Sequence, residues 1–196
     1  MFNQFIVLDN AINDPDLLVE WAKNQCYYSS SSERLLGLKE IHDTNTPYGH
    51  WRGHRSQALH ELDLALFEDT FDRLFYKIFS NYQLKFHYQV NAYMHFSPGY
   101  IQYDHYWWHT DPGAVMAGVI YLTSTPEPDS GTILRLDNED YVIENCYNRL
   151  VMYNSEILHR PQRCFGTTVD NSRLTLTFFV NRLVLEFFPA DYNDHT

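Results

Sequence analysis

The chain has 196 residues, of which 44% are hydrophobic and 16% aromatic, and its formal net charge at pH 7 is −11. This length suits a single domain with a substantial core, and the excess of acids argues against a nucleic-acid surface, which needs clustered Lys and Arg. No apolar run has the length of a membrane span and the N-terminus lacks the parts of a signal peptide, so we predict a soluble, cytoplasmic protein.

The chain has three cysteines, Cys26, Cys146 and Cys164, and no two of them form a Cys-x-x-Cys pair. Their odd number and wide spacing predict neither a disulfide framework nor a zinc knuckle. We expect buried free thiols at these positions.

The first quarter of the chain predicts a strand, a helix and a loop. Residues 5–8 are apolar and predict the strand, after which Asp14 is suited to cap a helix and Pro15 to begin it. Residues 29–39 predict an exposed loop. The long irregular stretch 42–55 is rich in His, aromatic and Arg residues, so it is a candidate lid over a functional site. An ordinary surface connection is the alternative.

Between residues 56 and 81, apolar side chains recur at a spacing of three and four residues, which is typical of a helix packed on a sheet. They are Leu59, Leu62, Leu66, Phe67, Thr70, Phe71, Leu74, Phe75, Ile78 and Phe79. In residues 86–96, apolar and polar side chains alternate, which predicts a strand with one apolar and one polar face. The polar face, where a barrel interior could begin, carries His87, Gln89, Asn91, Tyr93 and His95.

The residues best suited to chemistry surround His109-Thr110-Asp111 in the second half of the chain. Residues two apart on an extended segment face the same way, so His109 and Asp111 present an imidazole and a carboxylate together. His159, far downstream, supplies a second imidazole. Two His and one carboxylate on one side of a metal leave open positions, which suit non-haem Fe(II) that binds dioxygen and a chelating co-substrate.

Two alternatives to this triad stay open. His105 and His109 are four residues apart beside Asp104 and could share a helical face, although the aromatic-rich sequence favours extended chain there. Alternatively, His109 and Asp111 hydrogen-bond within a turn and His159 is unrelated, in which case no metal binds.

Predicted strands surround the triad at residues 115–123, 132–136, 149–153, 173–179 and 182–188. Arg173 opens one of them and alternates with Leu174 and Leu176, so its side chain falls on the polar face. A buried guanidinium needs an anion, which a co-substrate carboxylate would supply. Arg160 and Arg163 compete for this role.

This order of a His-x-Asp motif, strands, a distal His and a late basic residue resembles the Fe(II)- and 2-oxoglutarate-dependent dioxygenases, nearest to their prolyl-4-hydroxylase-like branch. The resemblance covers about residues 86–180. It implies that His109, Asp111 and His159 bind iron and that Arg173 pairs with the distal carboxylate of 2-oxoglutarate. It also implies that the hydroxyl of Tyr93 reaches the co-substrate.

Two departures from that branch concern the substrate. Ser130-Gly131-Thr132 stands where prolyl hydroxylases often have Gly-Gly-Glu-Thr, and Arg173 stands where they often have Lys. An arginine fits the role well, because its planar fork grips a carboxylate bidentately.

The fold implied is mainly β with flanking helices around a double-stranded β-helix, the jelly-roll or cupin-like core. We expect one domain over residues 1–196, with a helical N-terminal part at about 1–82 and the jelly-roll core at about 83–190. The expected enzyme uses Fe(II), 2-oxoglutarate and O2 to hydroxylate a peptide side chain, prolyl-like, or a small molecule, and converts 2-oxoglutarate to succinate. A cupin-like metal-binding protein, a non-catalytic interaction module and a zinc hydrolase are the alternatives.

Overall fold

The computed structural model describes residues 4–28, 53–79, 84–101 and 108–187. Its helices are α1 (Pro15–Lys23), α2 (Leu59–Leu62) and α3 (Leu64–Phe79). Its strands are β1 (Phe5–Leu8), β2 (His54–Ala58), β3 (Leu84–Ser97), β4 (Met116–Tyr121), β5 (Thr132–Leu136), β6 (Glu139–Ile143), β7 (Leu150–Asn154), β8 (Leu158–Pro161) and β9 (Arg173–Phe187). The predicted loop at 29–39, most of the predicted lid at 42–55 and the rival ligands Asp104 and His105 lie outside the described residues.

The strands form two antiparallel sheets. The large sheet has six strands in the order β1-β7-β4-β9-β3-β2, and the small sheet has three in the order β6-β5-β8. Several neighbouring strands are distant in sequence, such as β1 beside β7 and β4 beside β9, whereas β2 and β3, and β5 and β6, are consecutive. The mainly β class with flanking helices predicted from the sequence is confirmed.

Local sequence explains where the helices begin. Asp14 accepts a hydrogen bond from the N–H of Leu17 at 3.3 Å and Pro15 is the first residue of α1, as predicted. The stripe predicted as one helix is divided at Asp63, which follows α2 and accepts a hydrogen bond from the N–H of Leu66 at 3.0 Å. This side-chain cap starts α3 as a separate helix.

The helices cover one face of the large sheet, where the larger of two apolar cores lies. The ring of Phe71 on α3 meets the ring of Phe178 on β9 edge-on, with centroids 5.3 Å apart. Gly118 on β4 lies opposite Phe178 in the ladder, and a Cβ at Gly118 would come within 2.3 Å of that ring. A bulge next to Val180 lets Leu183 join the same core, because it shifts the alternation of β9 by one residue.

The other face of the large sheet, which we call the interior face, looks toward the small sheet. Cross-strand neighbours on it include Val151, Val119, Thr177 and Tyr93 in one row. A second apolar core, with Leu134 of β5 among its members, fills the space between the sheets. From the polar side of the strand predicted at 86–96, Tyr93 therefore faces the interior, whereas His87 and Gln89 are exposed.

Several sequence predictions differ from the structure. The two strands expected at 173–179 and 182–188 are one continuous strand, β9, and β2 begins inside the stretch predicted as a lid. Among the described residues the three cysteines form no disulfide, as predicted, but Cys26 is exposed and the other two are partly exposed rather than buried. Within the described ranges, no helix has the length and apolar character needed to cross a bilayer.

Candidate metal centre

Backbone pairing brings the two distant histidines together. His109 and His159 form an antiparallel bridge in which each N–H donates to the other's carbonyl, at 3.1 and 2.9 Å. The bridge extends the small sheet beyond β8, and directly paired residues in such a ladder have side chains on the same face. The N–H of Asp111 then donates to the carbonyl of Ser155 at 2.9 Å, which fixes the carboxylate beside both rings.

The three predicted ligands converge on one point. A single ligand atom from each of His109, Asp111 and His159 can be chosen so that all lie within 4.8 Å of one another. The Nε2 of His159 lies 3.3 Å from Oδ2 of Asp111, and the two imidazole rings have centroids 4.1 Å apart. One ion between these atoms could touch all three.

The tautomer of His159 follows from its hydrogen bond. Its Nδ1 lies 3.0 Å from the carbonyl oxygen of Ile157, so Nδ1 carries the proton and donates it. In the neutral ring, Nε2 therefore presents its lone pair to the carboxylate of Asp111. Burial lowers the pKa of His159 to about 4, which keeps the ring neutral at physiological pH.

Asp111 is also mostly buried, with 14% of its side chain exposed. Burial raises the pKa of its carboxyl, and the charges of His109 and Arg55 act in the opposite direction. When the carboxyl is ionised, two acceptors without a proton between them face each other at 3.3 Å. A cation between them removes this repulsion, so the donor set fits a metal ion.

Tyr153 forms one wall of the centre. Its ring packs on His159 with centroids 4.6 Å apart, and the residue is only 4% exposed. Burial raises the pKa of its hydroxyl well above the usual value, and the Asp111 charge raises it further. The phenol thus stays protonated beside the triad and restricts the rotation of the His159 ring.

Arg173 lies deeper on the interior face and is 5% exposed. Its Nε donates to the carbonyl of Ser130 at 2.7 Å, and Nη2 lies 3.4 Å from Oγ1 of Thr132. Among the described residues, no carboxylate lies within ion-pair distance of this guanidinium. The backbone carbonyls of Ser130 and Gly131 hold Nε and Nη2 in place, which orients the group for an anion.

Tyr121 is a neighbour of Arg173 that the sequence did not reveal. The Arg173 guanidinium lies 5.4 Å from the centroid of the Tyr121 ring, and the Tyr121 hydroxyl donates to Oγ1 of Thr132 at 2.7 Å. Tyr121 sits in a run of apolar residues that predicted only a buried strand. Its relation to Arg173 depends on the β4–β9 register, which no local pattern encodes.

Tyr93 also faces the barrel interior, but at a different position along the strands from Arg173. It pairs with Thr177, whereas Arg173 pairs with Ser97, four residues further along the β3–β9 ladder. The guanidinium of Arg55 lies 5.0 Å from the centroid of the Tyr93 ring. Contact of the Tyr93 hydroxyl with a co-substrate stays a prediction.

The two competing arginines lie outside the centre. Arg160 follows His159 on β8, so its side chain takes the opposite face of the small sheet, where its guanidinium lies 5.1 Å from the Trp108 ring centroid. Arg163 is exposed and forms ion pairs with Glu127 and Asp129. Of the three arginines considered, Arg173 alone lies on the interior face of the large sheet, the face from which Tyr153 contacts His159.

No family profile and no curated protein sequence matches this chain. Solved structures do resemble it: a prolyl-4-hydroxylase from Pseudomonas putida is 17% identical with a TM-score of 0.50, and the match covers 91% of this chain and 92% of that one. A 2OG-Fe(II) oxygenase family protein from Burkholderia pseudomallei is 13% identical with a TM-score of 0.57, over 90% and 85% of the two chains.

A prolyl hydroxylase from Trichoplax adhaerens, solved with a peptide fragment of the hypoxia inducible factor oxygen degradation domain, is 14% identical with a TM-score of 0.55. That match covers 91% of this chain and 83% of the other. At sequence identities this low, a structural match shows a shared fold and not a shared function. The chain therefore has the double-stranded β-helix fold of the 2OG-Fe(II) oxygenases, including the prolyl-4-hydroxylases.

Proposed function

We propose that this protein is an Fe(II)- and 2-oxoglutarate-dependent oxygenase that hydroxylates a peptide side chain or a small molecule and forms succinate from 2-oxoglutarate. The observation that carries the proposal is the pairing of two features within one barrel. One is the His109, Asp111 and His159 triad, and the other is a buried arginine, Arg173, without an acidic partner among the described residues. Each feature buries charge, which is costly for stability unless a ligand balances it.

In this proposal the three triad side chains hold Fe(II) and the barrel keeps the site dry. When bound, Fe(II) supplies the dioxygen chemistry that amino-acid side chains lack. The hydrogen bond from His159 Nδ1 to Ile157 directs the Nε2 lone pair into the site. Burial around Asp111 and Tyr153 excludes water from the reacting groups.

Arg173 would bind the distal carboxylate of 2-oxoglutarate. Its Nε is fixed by the Ser130 carbonyl, so the guanidinium does not have to be ordered when the co-substrate arrives. The Tyr121 hydroxyl and Oγ1 of Thr132 lie next to it and would complete the polar end of the pocket. The Tyr93 hydroxyl would also contact 2-oxoglutarate, from a position four residues along the β3–β9 ladder from Arg173.

A peptide substrate is supported by the structural likeness to the Trichoplax adhaerens prolyl hydroxylase, which was solved with a peptide fragment. We propose one domain over residues 1–196, with the helical part at about 1–82 and the core at about 83–190, in the cytoplasm. The likeness to oxygenases extends over about nine-tenths of the chain, which favours one catalytic unit.

The test is an anaerobic titration of the purified protein with Fe(II) and then 2-oxoglutarate, monitored by visible absorption. We expect a metal-to-ligand charge-transfer band that needs both components. Arg173→Ala should weaken 2-oxoglutarate binding at least ~10-fold, the amount typical of losing one hydrogen bond between charged groups, while Fe(II) affinity changes little. Arg163→Ala, an exposed arginine on the protein surface, serves as the matched control and should leave both affinities unchanged.

Other outcomes separate the alternatives. Iron binding without the band would favour a cupin-like metal protein, and binding of neither component would favour a non-catalytic interaction module. Oxygen-independent hydrolysis with zinc would favour a hydrolase, for which Arg173→Ala should be neutral.

A further inference from the structure

Residues 130–132, which we call the Arg173 cradle, carry the guanidinium of Arg173. Its Nε donates to the carbonyl of Ser130 at 2.7 Å, and its Nη2 lies 3.5 Å from the carbonyl oxygen of Gly131 and 3.4 Å from Oγ1 of Thr132. Three consecutive residues thus contact two nitrogens of one buried side chain. The position of the guanidinium in the barrel therefore depends on what holds the cradle.

The side chain of Asn145 holds the first residue of the cradle. Its Nδ2 donates to Oγ of Ser130 at 2.9 Å, and Oγ in turn donates to the carbonyl of Glu127. Ser130 and Asn145 are 0% and 1% exposed, so water does not compete for these bonds. The backbone N–H of Asn145 also donates to the carbonyl of Pro128, at 3.3 Å. Asn145 therefore ties the turn before β5 to the segment that follows β6.

Gly131, the middle residue of the cradle, is held from the β8 side by Gln162. The N–H of Gly131 donates to Oε1 of Gln162 at 3.0 Å, and its carbonyl accepts from the N–H of Gln162 at 3.1 Å. A Cβ at Gly131 would come within 1.8 Å of the carbonyl oxygen of Ile143, so a glycine is needed for this close approach to β6. The cradle is thus fixed between the ends of β6 and β8.

An asparagine at position 145 is a costly choice for stability alone. Its Oδ1 is buried and has no hydrogen-bond donor among the described residues, and an unsatisfied buried acceptor lowers stability. An apolar side chain at this position would avoid that cost, but it would remove the donor to Oγ of Ser130. The amide is therefore better explained by the orientation that it gives to the cradle.

We propose that Asn145 is a positioning residue for co-substrate binding: through Ser130 it fixes the depth of Arg173 in the barrel and so makes the site selective for the chain length of 2-oxoglutarate. This inference rests on the proposed oxygenase function and specifies how the site selects its co-substrate. A guanidinium held in one place pairs with the distal carboxylate of a 2-oxo acid only when the chain has the matching length. A loosened guanidinium adapts to more than one length and discriminates less.

The test measures the binding of 2-oxoglutarate and of 2-oxoadipate, its homologue with one more methylene group, to the full-length protein loaded anaerobically with Fe(II). Isothermal titration calorimetry gives both dissociation constants. We expect the wild type to prefer 2-oxoglutarate at least ~10-fold, the smaller end of the discrimination that one methylene group provides. Ser130→Ala and Asn145→Ala should each weaken 2-oxoglutarate binding about 5-fold, the equivalent of one neutral hydrogen bond, and leave 2-oxoadipate binding and Fe(II) affinity nearly unchanged.

Two comparisons separate positioning from a general loss of stability. Ser56→Ala removes a buried hydroxyl on β2, whose Oγ accepts from the N–H of Met94 at 3.1 Å and donates to the carbonyl of Gln57 at 2.6 Å. This control should lower the Tm and keep the full co-substrate preference. In an Arg173→Ala background, Ser130→Ala should have no further effect on 2-oxoglutarate binding, because a positioning residue acts only through the group that it positions.

The charge-transfer band separates failure of this inference from failure of the proposed function. Wild-type protein without the band would overturn the oxygenase function and, with it, this role of Asn145. A wild type that forms the band but binds both 2-oxo acids equally, or a Ser130→Ala variant that keeps the full preference, would overturn the role of Asn145 alone. Ser130→Ala gives the same information if Asn145→Ala unfolds, because it breaks the same hydrogen bond.

Discussion

At the scale of single residues, the contact between His159 and Asp111 is unfavourable without a metal ion. The Nε2 lone pair and the ionised carboxylate lie 3.3 Å apart, because the His159 proton is on Nδ1, bonded to Ile157. Asp111→Asn replaces one acceptor with an N–H donor. We therefore expect this variant to be more stable than the wild type without metal, by about 1 kcal/mol, the net value of one hydrogen bond.

The same substitution should abolish stabilisation by metal. Thermal unfolding at pH 8, with and without Mn(II), measures both effects, and about 1 kcal/mol corresponds to roughly 2–4 °C for a protein of this size. Asp69→Asn is the matched control: Asp69 pairs with Arg73 on α3, so metal stabilisation should persist. A metal-free Asp111→Asn variant that melts below the wild type would contradict the described geometry.

At the scale of elements, the segment that carries two of the three ligands is held to the small sheet by Trp108. The Trp108 ring contacts two guanidinium groups, with its centroid 3.8 Å from that of Arg135 and 5.1 Å from that of Arg160. Because Trp108 precedes His109, its side chain takes the sheet face opposite the metal centre. The contact anchors the ligand segment without touching the metal.

Trp108→Ala should therefore weaken Mn(II) binding about 10-fold, the lower end of the losses seen when support of metal ligands is removed. The secondary structure should survive, because Trp108 lies outside both apolar cores. Metal titration and circular dichroism measure the two effects. Tyr76→Ala, an exposed aromatic on α3, controls for loss of a surface ring, and equal metal affinity in the two variants would exclude the anchoring role of Trp108.

The strands also show how much of the fold could be predicted from the sequence. Strands β4, β5 and β7 are buried apolar runs, so their hydrophobicity predicted them. Strand β6 was not predicted, because its hairpin turns through Asp137 and Asn138, both with positive φ, without the glycine that usually marks such a turn. The structure brings His109, Asp111 and His159 together, and their role as metal ligands stays a prediction. Tyr121 and Asn145 were not identified, since their neighbours are set by strand register.

At the scale of the whole molecule, the N-terminal part and the jelly-roll core share one structure. Strand β1 pairs with β7, and Asp9 forms a bidentate ion pair with Arg149 at 2.6 and 3.1 Å. The buried Asn148 side chain makes two hydrogen bonds to the backbone of Ile12, at 2.9 and 2.8 Å. These contacts join positions about 140 residues apart, so neither part has a complete sheet alone.

We therefore predict one cooperative unfolding transition, with a calorimetric enthalpy of roughly 0.7 kcal/mol per residue near 60 °C that equals the van't Hoff enthalpy. Mn(II) at about a hundred times its Kd should stabilise the whole unit by about 2.7 kcal/mol. 2-Oxoglutarate should then add a second shift in the wild type but little in Arg173→Ala. Differential scanning calorimetry measures all three quantities. Two transitions, with only one responding to metal, would mean that residues up to about 82 unfold independently of the core, despite the pairing of β1 with β7.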